Sequence, residues 1–396
     1  MSRSCAPSER SRVTERLPLE GIVVLDLTRV LAGPYATQLL GDLGAEVWKV
    51  ERPGVGDETR AWGPPFAAGE SAYFLSTNRN KRSAALDFGN ARDLEAIHTA
   101  ARAVDVVIEN FLPGQLECVA LDPRSLREAN PALVVCSITG FGQSGPYVDL
   151  PGYDAVLQGF TGLMSVTGEA DRPPVKVGVA TIDVLAGAHA AVAILAALIG
   201  RLRGGVGVHL DIALAEVGIA GMVNVAQGTL VSGAPARRYG TAHPNIVPYQ
   251  TFATADRPLV IAVGNDEQWL RLCDALERPQ WGQRSEWRAN RDRVLQRDDV
   301  IAALSAWLAT RPQQEWLAAL ALAGVPAGPV RDVDEVMRDP ALRQREFVRD
   351  VTLSGEPAPV PMLSLPWCID GVRPPVRLPP PRLGEHTAAF LERFAR

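Results

Sequence analysis

Between Val177 and Gly200 the chain carries a single formal charge, Asp183, and one other ionisable group, His189. A carboxylate in so apolar a stretch is costly to bury unless something stabilises the ion. Asp183 stands at the head of an alanine- and leucine-rich run, and two readings follow from that position. As a helix N-cap it would accept hydrogen bonds from the first free N–H groups. As a nucleophile at the same helix N-terminus, it would be kept ionised by unpaired N–H groups, which could also take up charge developing on an acyl oxygen. The two roles are compatible, so the surroundings must decide.

Basic residues that could hold an anion form two groups. Asn78-Arg79-Asn80-Lys81-Arg82 precedes an expected strand, and Glu51-Arg52-Pro53-Gly54 follows another. Such clusters usually make solvated surface. Ligands of open α/β sheets, however, collect beyond strand ends, where paired guanidinium N–H bonds suit phosphates and carboxylates. Gly140-Phe-Gly142-Gln-Ser-Gly145 lacks the lysine of a phosphate loop and reads as a turn. The histidines at 98, 189, 209, 243 and 386 show no metal-ligand spacing, so no metal is expected. There is no G-x-S-x-G elbow and no Walker A sequence.

A scaffold for these residues has to come from 396 residues, enough for two domains or one large one with an insertion. With 47% hydrophobic and 21% charged residues, the composition is that of a soluble globular enzyme. A net charge of −5 gives no support for a nucleic-acid partner. The scattered cysteines (5, 118, 136, 273 and 368) suggest reduced thiols, hence a cytoplasmic protein. Val184–Gly200 is short for a bilayer span and reads as a core helix, so no membrane is expected. Residues 1–16, polar and rich in Ser and Arg, read as a disordered leader; Glu9 and Glu15 count against a mitochondrial presequence.

The first half alternates strands and helices. Strands are expected at Ile22–Leu27, Ala45–Val50, Ser83–Leu86, Val104–Ile108 and Leu133–Ile138, with helices at Tyr35–Leu43, Asp93–Ala101 and Pro123–Asn130. Such alternation implies a mostly parallel, doubly wound, Rossmann-like sheet. Leu31-Ala32-Gly33-Pro34 follows the first strand in place of a dinucleotide fingerprint. Long helices are expected at Ile182–Leu202 and Leu214–Leu230. A large domain at 17–235 would then give way to a smaller α/β domain at 236–330 and a return segment at 331–396.

Read in order, these segments resemble the class III coenzyme A transferases, the family of formyl-CoA transferase, carnitine CoA-transferase and α-methylacyl-CoA racemase. The resemblance runs from about Leu17 to the C-terminus. It is carried by Arg29-Val-Leu-Ala-Gly33-Pro34, Gly41-Asp-Leu-Gly-Ala-Glu46, Glu51-Arg-Pro-Gly54, Asn78-Arg-Asn-Lys-Arg82 and Glu109-Asn-Phe111-Leu-Pro-Gly114. Gly152-Tyr-Asp154, Gly162-Leu-Met-Ser-Val-Thr-Gly168, Asp183 with Gly187, and Leu383-Gly-Glu-His386 complete the series. Trp62-Gly-Pro-Pro-Phe66, Gly240-Thr-Ala-His243 and Ile246-Val-Pro-Tyr-Gln250 look most like the succinyl-CoA:glutarate subgroup.

The resemblance implies an interlocked, ring-like homodimer. It implies a CoA thioester as substrate and no permanently bound cofactor. Asp183 would be the covalent nucleophile, with Arg52, Asn110, Phe111 and Arg82 near CoA. Arg79 and Arg293 match basic positions of the glutarate-type subgroup. They would grip the far carboxylate of a dicarboxylic acceptor, closing on it from the two domains. Formyl-CoA transferase has a Gln where this chain has Leu31, a phosphate-binding Arg where it has Cys118, and a glycine-rich flap reduced here to Gly264-Asn265-Asp266. These departures speak against oxalate chemistry. Of the alternatives, an acyl-CoA racemase would need a base at Tyr153, whose phenol, with a pKa near 10, is a poor one. A non-catalytic acyl-CoA-binding protein would be expected to lack the carboxylate of Asp183.

Overall fold

The structure, a computed structural model, describes residues 16–394; all of the expected leader but Arg16 lies outside that range. Six strands form a parallel sheet: β1 (Val23–Asp26), β2 (Glu46–Glu51), β3 (Lys81–Ala85), β4 (Val106–Glu109), β5 (Val134–Thr139) and β6 (His209–Ala213). Across the sheet they run β3-β2-β1-β4-β5-β6, the order of a doubly wound Rossmann sheet. The helices of this unit are α1 (Ala32–Asp42), α2 (Ala72–Thr77), α3 (Ala91–Ala103), α4 (Pro123–Ala129), α5 (Asp154–Phe160), α6 (Thr181–Leu202), α7 (Leu214–Ala220) and α8 (Val223–Ser232). A C-terminal helix, Thr387–Phe394, completes it.

Successive strand residues face opposite sides of a sheet, and here both sides are covered. Val24, Val47 and Val106 join the core that contains α1 and α6. Leu25, Trp48 and Val107 join a second core with α3, Phe390 and Phe394. Burial on both faces is why these strands read as apolar runs rather than as alternating sequence. The buried positions of α6, including Ile182, Ala186, Ala190, Ile194 and Leu198, recur every four residues and place one stripe against the sheet side. Gly187 permits the contact with α1, because a Cβ there would lie 2.5 Å from the Ala32 carbonyl oxygen.

The chain divides into two compact units. Among the described residues the larger comprises 16–163, 177–231 and 340–394; the smaller comprises 164–176 and 232–339. The smaller unit therefore also takes a short segment from the region expected to be wholly in the large domain. It contains an antiparallel sheet, β7 (Tyr249–Phe252), β8 (Leu259–Ala262) and β9 (Ala327–Pro329), in the order β9-β8-β7. Trp269, Trp316, Phe252 and Leu304 are buried at its core.

Several elements differ from expectation, among them an antiparallel hairpin, Val348–Thr352 with Pro359–Leu363, inside the return segment expected to be extended. β6 was not anticipated, since His209 and Asp211 interrupt its apolar character and it sits at the sheet edge, half exposed. The expected helix Leu214–Leu230 is two helices, α7 and α8, bent by 78°. The break falls at Gly221-Met222, and Val223 takes a positive φ of 40°. The short β9, Ala-Gly-Pro, has no strand propensity and is held by pairing with β8.

The basic cluster after α2 is not surface. Asn78, Arg79, Asn80 and Lys81 are all buried. Lys81 Nζ donates to Asp26 Oδ2 (3.2 Å), Asn78 Oδ1 (2.9 Å) and the Pro34 carbonyl (2.8 Å). Asn80 Oδ1 accepts from the Arg377 and Leu378 N–H groups, which ties the C-terminal return to the sheet. Lys49, equally buried, donates to Asp57 at 2.9 Å. Burial pushes the Asp57 carboxyl up, but Lys49 and the Thr59 N–H outweigh it and hold its pKa at about 2.

Candidate active site

Strand order reverses between β1 and β4, so their C-terminal ends open a crevice of the kind that takes ligands in this sheet type. Arg29 follows β1 and Asn110 follows β4. Asn110 locks the two together: the Arg29 N–H donates to its Oδ1 (3.0 Å) and its Nδ2 donates to the Arg29 carbonyl (2.8 Å). The Asn110 side chain is thereby used within the fold.

Two cavities lie at this crevice. One, of about 190 Å³, is lined by the apolar Leu27, Val50, Leu86, Phe88 and Phe111, by Lys49 and the exposed Arg52, and by the acidic Glu51, Asp57, Glu58 and Asp87. The other, of about 260 Å³, is lined by Asp183, Tyr153, Gly140 and Gly152 among others. Arg29 and Phe111 belong to both. Gly140 and Gly152 pack backbone to backbone; a Cβ on Gly152 would lie 2.3 Å from the Gly140 Cα. That close approach brings the start of α5 to the end of β5.

Asp183 is in the first turn of α6, inside the helix rather than at its cap. The cap comes from another element. Asp154, buried at the start of α5, accepts from the Ile182 N–H (2.8 Å) and the Asp183 N–H (3.4 Å) through Oδ1. The Thr181 N–H goes to the Val179 carbonyl and the Val184 N–H to the Ala180 carbonyl. Both sequence readings of the local geometry are therefore corrected. Asp183 is not the N-cap, and the N–H groups expected to keep it ionised are taken.

Among the described residues no donor reaches the Asp183 carboxylate. Burial, and then the charge of Asp154, push its pKa up to about 7. Asp154 is itself held by Gln158, whose Nε2 donates to Oδ2 at 2.6 Å and whose Oε1 accepts from the Val177 N–H. Tyr73 stands within electrostatic reach: burial and the charges of Asp183 and Asp154 push its phenol up to about 12. It stays a neutral hydrogen-bond donor, its ring edge-on to Trp62 at 5.3 Å. The sequence singled out neither Tyr73 nor Gln158, and nothing in their local pattern could have done so.

The other sequence candidates separate. Arg52 and Phe111 line the first cavity. Arg82 lines neither cavity. It pairs with Glu46 at 3.3 Å and lies over the Trp48 ring at 5.3 Å. Arg79 is buried and doubly bonded to Asp42 through Nε and Nη2. Arg293 is fully buried in the smaller unit, where it donates to the carbonyls of Val247, Trp287 and Arg288 and to Asp266. Arg293 uses all three of its nitrogens inside the fold and Arg79 two of three, and neither lines the cavity around Asp183. Among the described residues no group of His, Cys, Asp and Glu could hold a metal.

The pattern of CoA-transferase family III matches residues 19–387. The chain belongs to this family. It is 43% identical to a succinate–glutarate CoA-transferase of Agrobacterium fabrum, covering 94% of this chain and 95% of that one. Identity to the human succinyl-CoA:glutarate CoA-transferase is 40%, over 96% and 86% of the respective chains. A solved CAIB/BAIF family protein from Brucella suis superposes with a TM-score of 0.84 at 41% identity, covering 96% of this chain and 100% of that one. The protein is thus an enzyme that transfers CoA between an acyl-CoA and a carboxylic acid, and the CoA thioester is its substrate rather than a resident cofactor.

Proposed function

We propose that this enzyme moves CoA from succinyl-CoA, or a similar acyl-CoA, to a dicarboxylic acid such as glutarate, through covalent intermediates on Asp183. The observation that carries the reading is a carboxylate facing a cavity at the sheet's switch point, with no donor on it and a pKa near 7. Such a group is partly ionised at neutral pH and more nucleophilic than an ordinary carboxylate. The two relatives described above carry the dicarboxylate in their names.

Asp183 attacks the thioester carbon; the C–S bond breaks and CoA thiolate leaves an aspartyl–acyl anhydride. The thiolate attacks the aspartyl carbonyl, releasing the donor acid and leaving an aspartyl-CoA thioester. The acceptor carboxylate then displaces the thiolate, and thiolate attack on the acceptor's acyl carbon frees Asp183. Dividing the exchange in this way avoids one high barrier, while the apolar surroundings keep water from the activated acyl groups. The nucleotide end of CoA fits the first cavity, between Arg52 and Phe111, and the thioester reaches the second past Arg29. Asn110 acts by holding the two loops together.

The working form we propose is a homodimer, for which the exposed apolar side chains of α6 and α8 argue: Val192 at 66%, Leu202 at 79% and Leu230 at 79% exposure. Cys118, Cys136, Cys273 and Cys368 are free thiols, which suits the cytoplasm. Incubation with succinyl-CoA followed by mass spectrometry should find CoA or an acyl group on Asp183. Asp183→Ala should abolish transfer and still bind CoA; a label on another carboxylate would reject the assignment.

A further inference from the structure

With Arg79 and Arg293 tied up in the fold, the proposed dicarboxylate has lost both expected readers of its far end. The cavity around Asp183 offers a replacement. Among the described residues lining it, Arg29 is the one cation. Its side chain is 44% exposed, so a ligand can reach it. Only Nη1 has a partner, Glu58 Oε1 at 2.7 Å. Nε is buried without a partner, and so is Glu58 Oε2. The pair is therefore joined at one point, with an unmet polar atom on each side.

A carboxylate accepts strongly from a guanidinium N–H, and Nη2, unbonded and not enclosed as Nε is, is the donor a ligand can reach. Both ends of the side chain are already fixed. Asn110 holds the Arg29 backbone at its N–H and its carbonyl. The guanidinium carbon lies 5.1 Å from the centre of the Phe111 ring. Little further ordering is needed when an anion arrives, and the aromatic face favours arginine over lysine.

The geometry points to Arg29 as the reader of the far carboxylate of the acid whose near carboxylate meets Asp183. Glu58 is the counter-ion that holds the guanidinium between turnovers. This rests on the CoA-transfer reading of Asp183. The succinyl end of the donor carries the same far carboxylate, so Arg29 serves both half-reactions.

Arg29→Gln should raise the KM for glutarate roughly tenfold or more, as expected for losing one partner of a partly desolvated charge pair. The KM for succinyl-CoA should rise with it. At saturating succinyl-CoA the KM for pentanoate, a monocarboxylate of the same length, should rise much less than that for glutarate. Since Arg29 also lines the first cavity, any loss of CoA affinity by calorimetry should be smaller than the loss for glutarate. Arg29→Lys should recover part of the loss. Glu58→Gln removes the competing anion and should lower the KM for glutarate. Equal losses for glutarate and pentanoate, or weaker CoA binding in step with them, would overturn the inference, since Arg29 would then serve CoA or the fold. If Arg29→Gln does not fold, Glu58→Gln decides: an unchanged KM rejects the role. A wild-type enzyme that transfers CoA to no acid would sink the underlying reading instead.

Discussion

Asp183 has no hydrogen-bond donor on its carboxylate and the Asp154 charge behind it, so protonation competes with attack near neutrality. The ion is the nucleophile. We expect kcat/KM to rise with pH and level off above an acid limb near 7, read from a pH–rate profile of the free enzyme. Asp154→Asn removes the charge that raises this pKa while keeping an oxygen for the Ile182 N–H, so the limb should move to lower pH. Asp154→Ala loses the cap as well and should cost about 1 kcal/mol of stability. Because the folded-state pKa lies above the unfolded one, Asp183 costs stability as pH rises from about 4 to about 7, and the cost is level above that. Asp183→Asn should therefore be inactive yet melt higher than wild type at pH 8, and the same at pH 3. Allowing for partial exposure, the gain is about 2 kcal/mol. The sequence betrayed Asp183 because a lone charge in an apolar run needs a reason. It could not show Asp154 as the cap, since that contact spans 29 residues and depends on two glycine backbones meeting.

The elements that carry these residues were legible where burial dictates sequence. β1, β2, β4 and β5 are covered on both faces and read as apolar runs, and α6 declares itself by length and apolar content. β6 escaped because an edge strand need not be apolar. The α7–α8 break escaped because the apolar pattern continues through it. Placement of Asp183 depends on how closely α6 approaches α1, which Gly187 controls. Gly187→Ala would gain about 1 kcal/mol of helix propensity. Its Cβ, however, would meet the Ala32 carbonyl at 2.5 Å, where backbone cannot turn aside as a side chain could. Overpacking of this kind costs about 1–3 kcal/mol, so the clash should win. A lower midpoint in thermal melts, with kcat reduced more than CoA affinity, is the expected outcome. An unchanged melt would mean that the two helices can separate freely.

At the scale of the whole molecule, Arg79 and Arg293 show where a sequence falls short. A buried arginine that holds carbonyls and a carboxylate looks the same in sequence as one that waits for a ligand. The apolar helix α8 carries the complementary signal: none of its side chains is buried among the described residues. Leu230 and Val231 are 79% and 78% exposed, and Val192, Ile199 and Leu202 on α6 are likewise open. Exposed apolar side chains in such number mark an association site, and a stable one buries upwards of about 1,000 Å². The proposed dimer covers it, and its two possible topologies respond differently to damage. Side-by-side subunits given Leu230→Glu or Val192→Glu should separate into folded monomers, whereas subunits that thread one another cannot part without unfolding. We expect the interlocked form. Light scattering should then find wild type dimeric even at nanomolar dilution, and the two variants should lose solubility or melt early rather than yield a folded monomer. A well-folded monomeric Leu230→Glu would rule out interlocking, and a monomeric wild type would rule out the dimer itself.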